Sequence, residues 1–226
     1  MTLRFNSKNQ PCTSQTAQKG LCLAIKRTID VCISGPALIL FSPLMAGTAA
    51  AIWFTMGWPI FFRQQRPGRH GRIFSTNKFR TMSETLDDKK QLLSDSQRLT
   101  PLGRIIRRYS LDELPQLWNV MKGDMSLVGP RPLLVQYLPR YSPNQLRRHD
   151  VLPGITGWAQ IKGRNETTWD ARLAQDLWYV DNWSLPLDLK IMAITLFKIL
   201  TGDGITPEGR DTMPEFMGNE PDTELN

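Results

Sequence analysis

The sequence predicts a mainly α-helical protein with a small β element: a re-entrant membrane helix hairpin, a cytosolic globular domain, and interfacial amphipathic helices. Three observations lead to this class. Residues 31–62 carry no charged side chain, yet both flanks are basic: Lys26 and Arg27 on one side, Arg63, Arg66, Arg69 and Arg72 on the other. From Gln64 onward the chain becomes polar and basic, with apolar residues at helical spacing and arginines between them. Finally, Pro–Gly punctuation at 129–132 and 153–157 breaks this second part into short elements rather than long ones.

The chain divides accordingly into a basic N-terminal tail (1–20), the membrane segment (21–62), a globular domain (63–205) and an irregular tail (206–226) rich in Gly, Pro and acids. The apolar run is too long for the core of a signal peptide and ends in no small-residue cleavage pattern. As one straight helix it would measure roughly 48 Å at 1.5 Å per residue, against a bilayer core of about 30 Å. Pro43 follows Ser42 near its middle, and proline breaks a helix by removing a donor and crowding the preceding turn. The Ser42 hydroxyl offers partial compensation. Lysine and arginine flanks favour the cytoplasmic side. A helix broken at Ser42-Pro43 that dips into one leaflet puts both flanks there; a full crossing puts one on the wrong side, and remains the competing topology.

In the globular part, residues 61–79 are expected to hold the β-structure, 86–98 a polar helix, 101–109 a helix opened by Thr100-Pro101, and 113–121 another. Residues 129–132 (Gly-Pro-Arg-Pro) must form a stiff loop, and 153–157 a turn. Residues 185–201 form a strongly apolar helix; periodicity alone leaves open whether it lies in the core or at the membrane interface. Lys26, Arg27 and Asp30 are expected near lipid headgroups, with Arg27 and Asp30 spaced for a helix ion pair. Seven Trp suit a protein that meets both apolar and wet surroundings. Cys12, Cys22 and Cys32 show no metal-binding spacing and are expected to be reduced and incidental.

The net charge of +7 fits polyanionic partners generally: nucleic acid, anionic lipid or phosphorylated substrates. No zinc finger, RNA-binding aromatic motif or basic zipper supports nucleic acid. The candidate chemistry centres on the adjacent carboxylates Asp112 and Glu113, which follow Arg104, Arg107 and Arg108. Read locally, Ser110 and Glu113 form a capping box at a helix start. Read with Lys78, Arg80, Arg107, Arg131 and Arg164, the pair belongs to a phosphate-handling site, since guanidinium forks grip phosphate oxygens in pairs.

The runs Lys78–Met82, Arg107–Gln116, 123–132 (GDMSLVGPRP) and 153–165 (PGITGWAQIKGRN) together resemble the bacterial sugar transferases, the monotopic polyprenyl-phosphate phosphoglycosyl transferases, over roughly residues 20–205. The chain resembles that family's minimal form, and Ser42-Pro43 resembles its re-entrant break. The resemblance implies a ping-pong reaction in which Asp112 attacks the β-phosphate of a UDP-sugar, UMP departs, and undecaprenyl phosphate takes the sugar phosphate from Asp112. It implies Glu113 as an assisting group that handles the lipid phosphate's proton and orients neighbouring groups, Mg²⁺ at Asp112, and Lys78, Arg107, Arg131 and Arg164 as phosphate or nucleotide contacts, with Arg80 a further candidate. It places the protein at the cytoplasmic face of a bacterial inner membrane, touching anionic lipid. Separately, exposed apolar helices would permit a homodimer. Donor choice is expected to depend on 160–215, with Thr206–Gly218 as a lid. Two rival readings use the same residues: a lipid-phosphate phosphatase with water as acceptor, and a non-enzymatic membrane adaptor.

Overall fold

A computed structural model describes residues 20–83, 93–162, 168–201 and 215–218. The chain opens with α1 (Gly20–Leu40) and α2 (Ser42–Met56), which meet at a bend of 58°. The break falls where Ser42-Pro43 predicted it. Pro43 sits in the first turn of α2, where a missing amide hydrogen costs nothing, and Ser42 Oγ donates to the Ile39 carbonyl at 2.7 Å. The pair forms an obtuse elbow rather than an antiparallel hairpin. Among the described residues no single helix is long and apolar enough to cross a membrane, but this bent pair passes that test together. Ile39, Leu40, Trp53 and Phe54 on the elbow are exposed.

β1 (Phe61–Pro67) and β2 (Ile73–Phe79) follow as an antiparallel pair in the expected region. Next come α3 (Asp95–Arg98), α4 (Pro101–Arg108) and α5 (Gln116–Lys122). Of the helix expected at 86–98, residues 86–92 lie outside the described ones. Thr100 caps α4 by accepting from the Gly103 amide at 2.9 Å, with Pro101 at its first position. β3 (Ser126–Val128) pairs in parallel with β4 (Gly154–Thr156), and α6 (Pro143–Leu146) lies between them. The turn expected at 153–157 is thus mostly a strand: Val128 and its neighbours supply a parallel partner that the local sequence cannot reveal. α7 (Trp158–Lys162), α8 (Trp169–Asn182) and α9 (Leu185–Thr201) complete the fold.

Three apolar clusters hold these pieces together. Ile52 of α2, Phe79 of β2 and Ile106 of α4 join the elbow to the sheet. Val128, Val151, Ile161, Tyr179, Val180, Trp183 and Ile191 bring β3 against α7–α9. Tyr137, Tyr141, Leu173 and Phe216 close the far side. α9 answers the core-or-interface question by halves: Asp188 and Ile191 are buried, while Leu196, Phe197 and Leu200 nearer its end are exposed.

The start of α1 departs from expectation. Lys26 and Asp30 are each only 2 % exposed, so they do not anchor headgroups. Lys26 Nζ pairs with Asp188 at 2.5 Å and also donates to the Val128 carbonyl at 3.1 Å. Asp30 accepts from Ser126 Oγ at 3.0 Å and the Leu127 amide at 3.1 Å. The Arg27–Asp30 ion pair is present at 3.7 Å. The Arg27–Asp30 spacing was legible; that Lys26 and Asp30 would lie against β3 and α9 depended on contacts 96 to 162 residues away.

Candidate active site

Strand alternation sets the first functional side chain. In the β1–β2 register Phe62 faces Lys78, Gln64 faces Thr76 and Arg66 faces Phe74, so these residues share one face of the hairpin. Arg107 arrives on the last turn of α4. That helix lies so close to the segment after β2 that a Cβ on Gly103 would stand 2.0 Å from the Thr81 carbonyl oxygen, so only glycine permits the approach. Arg107 Nε then donates to Thr81 Oγ1 at 3.0 Å.

Between α4 and α5 the chain turns sharply. Ser110 takes a left-handed conformation (φ 54°) and Leu111–Glu113 form one 3₁₀ turn. The side chain of Ser110 caps nothing, and Glu113 does not reach back to it. The capping-box reading therefore fails. Glu113 instead accepts from Lys78 Nζ at 2.7 Å and from Arg131, whose Nη1 stands 3.4 Å from Oε2 while Nη2 closes on Oε1. The fork matches a carboxylate as expected of a bidentate pair.

Arg131 is held from its backbone. Pro130 and Pro132 restrict the chain on either side, and its carbonyl accepts from Arg148 Nη2 at 2.7 Å. Arg148 in turn pairs with Asp176 of α8, also at 2.7 Å. The loop crosses the start of β4 at a Gly129–Gly154 contact where a Cβ on Gly154 would lie 2.1 Å from the Gly129 nitrogen. Asn119, fully buried in α5, ties this half to the hairpin: Nδ2 donates to the Ser75 carbonyl at 2.7 Å and Oδ1 accepts from the Asn77 amide at 3.2 Å.

The two carboxylates are unlike. Burial alone would raise Glu113, but Arg131 and Lys78 outweigh it and hold it below the usual carboxylate range. Asp112 goes the other way: burial, then the neighbouring Glu113 charge, raise it, against the opposing pull of Lys78, Arg107 and Arg131. Among the described residues the Asp112 carboxylate makes no hydrogen bond. Burial lowers Lys78, with Glu113 opposing, and Glu113 raises Arg131. The result is a partly buried anion fixed between two cations, beside a second anion left unpartnered.

Lys78, Arg107, Arg131, Asp112 and Glu113 are therefore brought together. Arg80 is not used in this way. It is buried, and its guanidinium donates to the Met56, Gly57 and Trp58 carbonyls at 2.5, 2.6 and 3.4 Å. It satisfies the open carbonyls at the end of α2 and ties the elbow to β2. Arg164 lies outside the described residues, as does all of the expected lid but Glu215–Gly218. Asn119, Arg148 and Asp176 were not singled out from the sequence. Asp176 and Arg148 sit in ordinary helical contexts, and only their mutual burial distinguishes them.

The profile of the bacterial sugar transferases matches residues 21–202. The chain is 50% identical over 197 residues to the uncharacterized sugar transferase EpsL of Bacillus subtilis, covering 87% of this chain and 98% of that one. It is 41% identical to an undecaprenyl-phosphate galactose phosphotransferase of Salmonella typhimurium over 80% of this chain. It is 40% identical to a UDP-glucose:undecaprenyl-phosphate glucose-1-phosphate transferase of Escherichia coli over 81% of this chain. The matched region spans 41% and 42% of those two longer relatives. A match that covers the elbow, the hairpin, both carboxylates and the Arg131 loop as one continuous unit shows that this chain belongs to the bacterial sugar transferase family.

Proposed function

We propose that the protein transfers a sugar 1-phosphate from a UDP-sugar to undecaprenyl phosphate and releases UMP, by two displacements at Asp112. The observation that carries this reading is the contrast within the carboxylate pair: Glu113 is locked between Lys78 and Arg131, while Asp112 is left without a hydrogen bond in the same cationic surroundings. A carboxylate is a competent covalent nucleophile toward phosphorus. In the first displacement an Asp112 oxygen attacks the β-phosphorus. The bond from that phosphorus to the bridging oxygen breaks, and its electron pair leaves with UMP. In the second, an oxygen of the lipid phosphate attacks the same phosphorus, the aspartyl–phosphorus bond breaks, and the Asp112 carboxylate is restored.

Lys78, Arg107 and Arg131 offset the negative charge gathered as two anions meet. Glu113 organises rather than titrates. Its lowered pKa keeps it ionised and makes it a poor proton acceptor, so of the two expected roles the orienting one is kept: Glu113 aims Lys78 and Arg131. Mg²⁺ fits the donor set in one form only. Among the described residues no three His, Cys, Asp or Glu converge, but this ion commonly keeps several waters and takes one or two carboxylates plus substrate phosphates. Asp112 is the residue that would hold it, where it would neutralise phosphate charge.

The elbow suits a re-entrant anchor at the cytoplasmic face of the inner membrane. Its exposed apolar surface lies on α1–α2, and Ile52 and Arg80 fasten it to the sheet that carries Lys78. A soluble donor and a lipid-borne acceptor then reach Asp112 from opposite sides of one interface. The test is UMP release by the purified protein with Mg²⁺, undecaprenyl phosphate and a panel of UDP-sugars. Asp112→Asn is expected to lower lipid-dependent release by at least about a thousandfold, the scale on which removing a covalent nucleophile acts. Full release by Asp112→Asn, or phosphate freed from the lipid without UMP, would overturn the reading, the latter in favour of a phosphatase.

A further inference from the structure

Residues 215–218 lie in no helix or strand, yet they are seated firmly on the protein. Such a piece stays ordered only if burial repays its lost chain freedom. Phe216 supplies that burial. Its ring is 2 % exposed and enters a socket of aromatic side chains: Tyr141 stacked at 5.4 Å, Trp169 tilted at 5.5 Å and Tyr137 edge-on at 5.7 Å. Arg140 closes the mouth, donating to the Phe216 carbonyl at 2.5 Å and pairing with Glu215 at 2.8 Å. That ion pair is a minor part of the hold, because the Glu215 side chain is 48% exposed and water screens it. The ring is the anchor.

The socket is built from the segments that carry the active-site loop. Tyr137 and Arg140 belong to the 3₁₀ stretch Val135–Arg140, which packs on β1, the partner of the strand that carries Lys78. Leu133, two residues after Arg131, joins the same apolar cluster as Phe216. The Arg148 guanidinium lies 5.8 Å over the Tyr141 ring, and Arg148 Nη2 donates to the Arg131 carbonyl at 2.7 Å. Arg131 then closes on Glu113. Phe216 therefore stands behind the Arg131 loop at two points: Leu133 within the cluster, and Arg148 by way of Tyr141. Interiors are close-packed, so emptying the socket leaves a cavity into which these groups relax.

We propose that residues 215–218 are a positioning clip for the active site: Phe216, plugged into the Tyr137–Tyr141–Trp169 socket, backs the Arg131 loop and so fixes the guanidinium that faces Glu113. The use of Arg131 in catalysis rests on the transfer reading above; the clip itself does not. Phe216 is a positioning residue, acting through Leu133, Tyr141 and Arg148.

The experiment compares the full chain in nanodiscs with Phe216→Ala, which empties the socket, and with Phe216→Leu, which fills most of it and serves if Phe216→Ala does not fold. Amide hydrogen exchange is read first, since it needs no catalysis. Exchange across 129–141 and 147–150 is expected to quicken at least about tenfold in Phe216→Ala and less in Phe216→Leu, with α2 and β2 unchanged. Lipid-dependent UMP release is then read in a double-mutant cycle with Arg131→Gln. Phe216→Ala alone is expected to lower kcat on the order of tenfold, yet to lower the residual rate of Arg131→Gln by less than about twofold, because both changes remove one interaction. Unchanged exchange in the Arg131 loop of a folded Phe216 variant overturns the clip. So does a rate loss that multiplies fully with that of Arg131→Gln, which is what a general loss of stability gives. Should Asp112→Asn overturn the transfer reading, the exchange measurement still tests the clip, so the two failures are separable.

Discussion

Two ionic clusters in this protein use the same residue types to opposite ends. In the first, Lys26 of α1 and Asp188 of α9 are almost wholly buried, and every polar contact is closed: the Lys26 ammonium lies on Asp188 and the Val128 carbonyl, and Asp188 also accepts from Tyr179 at 2.7 Å and Trp183 at 3.1 Å. In the second, Lys78, Glu113 and Arg131 retain side-chain exposures of 25%, 17% and 32%, and Asp112 beside them makes no hydrogen bond or ion pair among the described residues. The first cluster is balanced and dry, and it seats the elbow on β3, whose chain leads directly into Arg131. The second is unbalanced and open. A structural pair closes its own charges, whereas a site meant for visiting phosphates leaves cations in excess and one anion unspent.

The largest effect expected from that difference is on stability at the first cluster. Lys26→Met leaves Asp188 charged and unpaired in the interior and should cost on the order of 3–5 kcal/mol in unfolding measurements on the detergent-solubilised protein. Adding Asp188→Asn removes the stranded charge and should restore most of that loss. A single-variant cost below about 1 kcal/mol, the scale of an exposed pair, would erase the distinction between the clusters.

The next effect is on pH dependence at the second cluster. On the proposed mechanism Asp112 must be ionised to attack, and burial and the Glu113 charge hold its pKa above the usual carboxylate range. Activity should therefore fall as pH drops through that raised value. Glu113→Gln removes the repelling charge and frees Lys78 and Arg131 to face Asp112, so the acid limb of kcat/KM should move to lower pH while the maximum falls on the order of tenfold. A limb that stays in place would mean that Glu113 does not set the ionisation of Asp112.

The smallest effect sharpens the comparison by touching neither cluster. Thr100→Ala removes the N-cap of α4, the helix that carries Arg107, and should cost about 1 kcal/mol of stability without moving the pH profile. A shifted profile would show that the position of Arg107 depends on the cap rather than on the Gly103–Thr81 contact.

Much of this was legible because it is local. The Ser42-Pro43 break, the β-structure at 61–79, the Thr100-Pro101 helix start and the rigid loop around Arg131 each follow from backbone chemistry within a few residues. The candidate cations Lys78, Arg107 and Arg131 stood out by residue type and motif. Position misled where burial decided. Lys26 and Asp30 read as headgroup anchors because their neighbours in sequence are apolar, yet their partners are Asp188, Ser126 and Leu127. Arg80 read as a phosphate ligand by its place two residues after Lys78, but it lies just past the end of β2, where the Met56, Gly57 and Trp58 carbonyls at the end of α2 take up its guanidinium.

By itself, then, the sequence determined the apolar elbow, the β-structure at 61–79, the helix opened by Thr100-Pro101, the apolar helix at 185–201, and a basic domain in which Asp112-Glu113 follows a cluster of arginines, because periodicity, proline and charge act on the chain locally; α8 was not read from it. Only the tertiary structure decided that Glu113 would be held by Lys78 and Arg131 while Asp112 stayed open, and that Gly154–Thr156 would be a strand. Desolvation and pairing are properties of what surrounds a group, and here those surroundings come from β2, the Arg131 loop and α8, segments brought together only by packing.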